Sequence, residues 1–446
     1  MGKYFGTDGF RGLAGVELTS THAFLIGRFL GYYLKKLKDR PSVVIGKDTR
    51  LSSYMLEYAL ASGLASSGAD AYMLHVVTSP CVSFVCGSED FDLGIMISAS
   101  HNPYYDNGIK IVNSRGEKVG EELLDRIEEF LDSETELPYL KECDLGRIYD
   151  HSSGRNRYIG YLISLSRFSF KGKRVGLDLS NGGAFMIAKS VFEALGANVF
   201  VIGDTPNGTN INEGVGSTHI EALCNLVIDK DLDVGFAYDG DADRCIAVDE
   251  KGQVINGDYI LYILAKAMKK SQELKGDLVV STIMSSQSLS QALEGLGVKT
   301  ISTKVGDRYV YECMQECDGS LGGEESGHII LTKYATTGDG ILTSIKIMEA
   351  MLEEKCTLSY LARGFSPCPR VTKSIRLKSK IFDFSPLECL NLTVGKDGYI
   401  NTMVDGYRVL IRKSGTEPVI RVLVEGQDRE TCQALVTKIE EAIGNG

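Results

Sequence analysis

Four short stretches concentrate groups that can do chemistry on a phosphorylated ligand. In "ISASHNPYYDNGIK", Ile97 to Lys110, Ser100 and His101 leave the end of the apolar run "FDLGIMISAS", and Lys110 follows two turn-forming clusters, Asn102-Pro103 and Asp106-Asn107-Gly108. Open α/β sheets bind ligands at the C-terminal ends of their strands, and the turns predict a tight, exposed loop carrying Ser100. No G-x-S-x-G elbow surrounds that serine, which argues against a serine hydrolase. In "DVGFAYDGDADRCIAVDEKG", Asp239, Asp241 and Asp243 stand two residues apart, so a turning loop converges their carboxylates on one hard cation. A calcium loop of the EF-hand kind fails here, because Arg244 stands where that loop needs glycine and the flanks read as strands. Magnesium suits a site with few protein oxygens that also touches a phosphate.

The other two stretches suit the rest of such a ligand. In "LGGEESGH", Leu321 to His328, Glu324 and Ser326 can hold sugar hydroxyls, with Glu325 read as a solvated neighbour. In "IRKSGTEPVIRV", Arg412, Ser414, Gly415, Thr416 and Arg421 combine guanidinium forks, hydroxyls and glycine-exposed amides, a cradle for a dianionic phosphate. That cluster stands out because the 446-residue chain carries a formal net charge of −11. The acidic surplus argues against general nucleic-acid or anionic-membrane binding.

No apolar stretch reaches the roughly 18 residues of a spanning helix, and the N-terminus lacks a signal-peptide core. Gly6 replaces the Ser or Thr that myristoylation needs, so a cytoplasmic protein is expected. The 11 cysteines are odd in number, without a C-x-x-C pair and mostly inside apolar runs, which reads as reduced, buried thiols.

Three segments repeat one pattern of apolar strand, polar turn, amphipathic helix, glycine and second apolar strand. They begin at "SVVIGKDTRLSS", "RVGLDLSNGG" and "DLVVSTIMSSQS", and Gly68, Gly196 and Gly297 stand where a helix end needs a left-handed residue. The long spacing excludes a solenoid and indicates three similar α/β domains in series. After about Pro367 the pattern changes to short alternating strands and a last helix, "RETCQALVTKIEEAIGNG", a smaller α+β domain. The expected limits are 1–153, 154–251, 252–367 and 368–446, carrying in turn the serine, carboxylate, sugar and phosphate loops.

Six motifs in this order, "FGTDGFRG", "GKDTRLSS", "SASHNP" with "DNGIK", "DGDADR", "GEESGH" and "RKSGTEP", resemble the α-D-phosphohexomutase superfamily over essentially the whole chain. "GTNIN", "GSTH" and "TKVGDRYV" look most like its bacterial phosphoglucosamine mutases. The resemblance implies a heart-shaped, four-domain molecule with a central cleft and a fourth domain able to move. It implies that Ser100 carries a phosphoryl group, with Mg2+ held by that group and by Asp239, Asp241 and Asp243. Arg11, Lys110 and His328 match positions near the reacting phosphate, and His101 follows the phosphoserine. Arg244, Lys304, Glu324 and Ser326 match positions that grip the substrate, while Arg412, Ser414, Gly415, Thr416 and Arg421 would hold the phosphate that is not reacting.

The implied reaction interconverts glucosamine 6-phosphate and glucosamine 1-phosphate through a hexosamine 1,6-bisphosphate, which with hexose 1,6-bisphosphates also acts as activator. It would supply UDP-N-acetylglucosamine and cell-wall precursors. A phosphomannomutase/phosphoglucomutase is the alternative enzyme. A noncatalytic sugar-phosphate binder would be expected to lose Ser100 or an aspartate of the trio, and all are present. Lys110 and His328 are both candidates for the general base. Glu325 stands where the resembling loop has glutamine, either to favour an amino sugar's ammonium or to face solvent. Dimers occur among the resembling enzymes, so a homodimer is a further expectation.

Overall fold

The computed structural model describes every residue except 1, 7, 134, 377–383, 385–386, 388–389, 391, 396–397, 414–418, 445 and 446. The chain divides into two compact units, one of Gly2–Ser285 with Ala292–Gly364 and one of Ser286–Gln291 with Phe365–Gly446.

Three sheets build the larger unit, and each contains the same four-strand plan. A first strand lies between two parallel neighbours, and a fourth returns antiparallel beside the third. In the first sheet Ser42–Lys47 lies between Asp70–Val76 and Leu93–Ile97, with Asp106–Asn113 returning. The second sets Arg174–Asp178 between Asn198–Ile202 and Val234–Tyr238, with Cys245–Asp249 returning. In the third, Leu278–Thr282 lies between Lys299–Thr303 and Leu321–Gly323, and Ile329–Leu331 returns. The expected series of three similar α/β units is therefore present. Gly9–Leu13 and Phe5–Gly6 extend one edge of the first sheet and Ile148–Asp150 the other, while the second sheet takes in Val254–Ile255.

The strands that lead into and out of the chemical loops are covered on both faces. Every residue of Leu93–Ile97, Val234–Tyr238 and Cys245–Asp249 is buried, which is why they read as continuous apolar runs without alternation. Gly68, Gly196 and Gly297 have φ of 87°, 94° and 69°, the left-handed geometry expected after their helices. One consequence of the shared plan decides where the chemistry sits. The turn between the third strand and its returning partner is 98–105 in the first sheet, 239–244 in the second and 324–328 in the third, so the serine, carboxylate and sugar loops are the same turn used three times.

The smaller unit is an antiparallel sheet in the order Arg370–Arg376, Val419–Glu425, Tyr407–Lys413, Ile400–Val404, with the helix Arg429–Gly444. Cys432, Val436, Ile439 and Ile443 recur at helical spacing and pack with Val409, Ile411, Ile420, Val422 and Val424. This is the expected α+β tail. Among the described residues no helix is long and apolar enough to cross a membrane.

Candidate active site

Ser100 has a left-handed backbone, φ 53°, and is fully buried rather than exposed as its turn-rich surroundings predict. It is covered because the carboxylate loop of the second sheet lies on it: Ser100 Oγ donates to Asp239 Oδ2, and a Cβ on Gly240 would lie 2.5 Å from the Ser100 carbonyl. Arg50, itself fully buried, holds this loop from below. Its guanidinium donates to the carbonyls of Ser100 at 2.8 Å, Asn102 at 2.9 Å and Asp106 at 3.1 Å, and to that of Pro103. Asp48 balances its charge through Nε at 2.8 Å and also accepts from Ser98 and Ser53. Asn212, in the segment that follows the strand Asn198–Ile202 of the second sheet, donates to the same Ser100 and Asn102 carbonyls at 2.9 and 3.1 Å.

Asp239, Asp241 and Asp243 are buried and each offers one oxygen to a group whose members all lie within 4.8 Å of one another. Asp241 Oδ1 and Asp243 Oδ1 are buried without a hydrogen-bond partner among the described residues. Burial first, then the carboxylates of Asp243 and Asp241, push Asp239 well above the usual carboxylate range. Burial acts on Asp241 in the same sense, but the charge and hydrogen bond of Lys110, with the Ser79 hydroxyl, outweigh it and hold Asp241 at about 2. The helix Ser79–Ser88 aims its N-terminus here: the Ser79 amide donates to the Asp241 carbonyl at 2.9 Å and its hydroxyl to Oδ2. Converging hard oxygens, two of them orphaned, fit Mg2+.

Cations ring this trio. Lys110 Nζ donates to Asp241 Oδ2 at 2.8 Å and to Asp243 Oδ2 at 3.4 Å, and lies 3.5 Å from Asp8 Oδ2. Burial works against its charge, yet those carboxylates raise its pKa. Arg11 pairs with Asp8 and donates to Asn102 Oδ1 at 3.4 Å. Arg244 Nη1 lies 3.2 Å from His101 Nδ1. Burial, then Arg244 and Arg11, lower His101 to about 3, so its imidazole is neutral at physiological pH.

In the third loop Ser326 donates to Glu324 Oε2 at 3.4 Å, and the Gly306 amide donates to Glu324 Oε1 at 3.0 Å. Lys304 is exposed just before that amide. Glu325 is half-buried and accepts from the side chain of Asn256 at 3.2 Å, at the N-terminus of the helix Gly257–Lys270, rather than being a simply solvated neighbour. His328 is buried, with Nε2 3.3 Å from Asp307 Oδ2. In the smaller unit Arg412 and Arg421 lie directly opposite one another on paired strands. Ser414, Gly415 and Thr416 lie outside the described residues.

The structure thus brings Ser100, His101, Lys110, Arg11, Arg244 and the three aspartates together. Asp8, Asp48, Arg50, Ser79, Asn212 and Asp307 went unassigned in the sequence. Asp8, Asp48, Arg50, Asn212 and Asp307 lie within the motifs "FGTDGFRG", "GKDTRLSS", "GTNIN" and "TKVGDRYV", while nothing local marks Ser79.

Four family models match the chain in order: phosphoglucomutase/phosphomannomutase α/β/α domains I over residues 2–138, II over 156–252 and III over 256–367, and the C-terminal domain over 380–442. A phosphoglucosamine mutase of Lachnospira eligens is 54% identical over 446 residues, covering 99% of this chain and 98% of its own. That of Bacillus subtilis is 44% identical over the same shares. Among solved structures, a phosphoglucomutase/phosphomannomutase family protein from Burkholderia thailandensis has the same fold, with TM-score 0.82 at 22% identity over 99% of this chain and 97% of its own. Aspergillus fumigatus N-acetylphosphoglucosamine mutase, solved with GlcNAc-6P and magnesium, matches with TM-score 0.65 at 15% identity over 99% and 95%. The chain belongs to the phosphoglucomutase/phosphomannomutase family, the α-D-phosphohexomutases, and within it to the phosphoglucosamine mutases.

Proposed function

We propose that this enzyme interconverts glucosamine 6-phosphate and glucosamine 1-phosphate through a phosphoryl group carried on Ser100 Oγ. The observation that carries the reading is the placement of that oxygen on Asp239, inside a buried trio of carboxylates ringed by Lys110, Arg11 and Arg244. A phosphoserine brings about −1.5 to −2 charges, which three bare carboxylates would repel and a ring of cations offsets. Magnesium, held by Asp239, Asp241 and Asp243 with the phosphoserine, would neutralise charge on the transferring group.

In the first half-reaction the sugar O1 bonds phosphorus as the bond to Ser100 Oγ breaks. The proton released by the sugar hydroxyl goes to one member of the pair Lys110 and His328, and the other protonates Oγ. The resulting 1,6-bisphosphate turns over and returns its 6-phosphoryl group to Ser100 with each step reversed. Glu324, Ser326, Arg244 and Lys304 would hold the sugar in both orientations. Arg412, Ser414, Gly415, Thr416 and Arg421 would grip the phosphate at rest, a role supported by the concentration of basic and hydroxyl side chains in that short stretch and by the cross-strand register of Arg412 with Arg421. The described cysteines are free thiols, which suits the reducing cytosol.

The test compares glucosamine 6-phosphate, mannose 6-phosphate and glucose 6-phosphate with magnesium and glucose 1,6-bisphosphate as primer. The amino sugar is expected to have the highest kcat/KM. Preference for mannose 6-phosphate would overturn the amino-sugar assignment and leave a phosphohexomutase.

A further inference from the structure

A row of alternating charges crosses from the first sheet to the third. Lys110 lies 3.5 Å from Asp8, Lys118 Nζ is 3.0 Å from Asp8 Oδ1 and 2.7 Å from Asp307 Oδ2, and the same Asp307 oxygen is 3.3 Å from His328 Nε2. Asp307 is doubly fixed. Lys118 also donates to its Oδ1 at 2.8 Å, and it opens the helix Asp307–Glu316, where the exposed amides favour an anion. Burial opposes its charge, but Lys118 holds its pKa below the ordinary value.

The ring of His328 has little freedom. Its side chain is 3% exposed, and a Cβ on Gly338 would lie 2.6 Å from both Cε1 and Nε2, so backbone closes one side of the imidazole. Nε2 stands at ion-pair distance from Asp307 without hydrogen-bond geometry, while Nδ1 is buried with no hydrogen-bond partner among the described residues, as expected of an atom whose partner arrives with the substrate. A carboxylate at one imidazole nitrogen selects the tautomer that carries its proton there and leaves the lone pair on the other.

We propose that Asp307 is a positioning residue for phosphoryl transfer, holding His328 with Nε2–H toward its carboxylate so that Nδ1 takes the proton of the attacking sugar hydroxyl. The inference rests on the phosphoserine reading above and deepens it, for it puts His328 on the sugar side. As the hydroxyl oxygen bonds phosphorus its proton passes to Nδ1, the bond from phosphorus to Ser100 Oγ breaks, and Oγ takes its proton from Lys110. Lys118 acts one step further out, by gripping Asp307.

Steady-state kinetics of the full chain with glucosamine 6-phosphate, magnesium and primer test this in D307N, D307E, H328Q and the D307N/H328Q double variant. D307N should lower kcat about 100-fold with KM moved less than about threefold, because a positioning residue acts on the proton step and not on sugar binding. D307E should recover at least about tenfold of that loss, and the double variant should be no slower than H328Q, since the two residues act as one unit. The proposal is overturned by D307N turnover within about threefold of wild type, by losses that multiply in the double variant, or by D307E as slow as D307N. If D307N unfolds, D307E with D307E/H328Q completes the same cycle. A wild-type enzyme that takes no phosphoryl group on Ser100 defeats the function proposed above, and this inference with it; a failure confined to the variants defeats this inference alone.

Discussion

At the scale of the residue, a serine hydroxyl transfers a phosphoryl group only where its oxygen is held still and the charge it handles is matched. Arg50 does the holding, with one guanidinium spread over four carbonyls of a loop that bends through a left-handed serine. Arg50→Met leaves Asp48 buried without its counter-charge, and a denaturant titration should show a loss of about 3 kcal/mol with turnover falling alongside. In the proposed reaction the matching falls to the cations around the trio and to the Mg2+ that the trio would hold. On that proposal Asp241→Asn removes a charged ligand, so the magnesium concentration for half-maximal activity should rise at least about tenfold, and an unchanged magnesium dependence would count against the trio as the metal site.

At the scale of the element, the three chemical loops are one turn repeated, and their meeting depends on close approach of backbones. Gly240 shows the tolerance: a methyl there would sit 2.5 Å from the Ser100 carbonyl and 2.8 Å from Ile211 Cδ1. Gly240→Ala should cost about 1–3 kcal/mol in a thermal or chemical melt and more than tenfold in kcat, since the clash falls on the reacting loop. Runs such as "VGFAY" and "CIAVD" and the capping glycines are local signals, so strands, helix ends and the α+β change were legible in the sequence. The burial of Ser100 was not, because its lid is Asp239–Gly240, 139 residues along the chain from the serine it covers. Glu325 misled for a related reason, since its partner Asn256, a helix N-cap, lies 69 residues earlier in the chain. The equivalence of the three turns appears only once strand order is known.

At the scale of the whole molecule, buried carboxylates tie stability to pH. Asp339 caps the helix Gly340–Glu353 through the Leu342 amide and accepts from Tyr158 on the helix Ser153–Ser164, and burial raises it to about 6. Asp178, buried between the amides of Gly216 and Ser180, is likewise raised to about 6. Such groups hold more protons folded than unfolded between about pH 4 and 6, so their contribution falls as pH rises through that window and is level above it. Denaturant midpoints from pH 4.5 to 7 should therefore decline less in Asp339→Asn than in wild type, by on the order of 2 kcal/mol in unfolding free energy. Asp8 and Asp241, held below the ordinary carboxylate range, act the other way and cost stability only on further acidification.

The most direct test of phosphoryl transfer through Ser100 uses glucose 1,6-bisphosphate radiolabelled in phosphorus, with magnesium and the full-length enzyme. Label should appear on the peptide containing Ser100, pass quantitatively into sugar phosphate when unlabelled glucosamine 6-phosphate is added, and be absent from a folded but inactive Ser100→Ala. Label on another residue, or a Ser100→Ala enzyme that turns over as fast as wild type, would contradict the account.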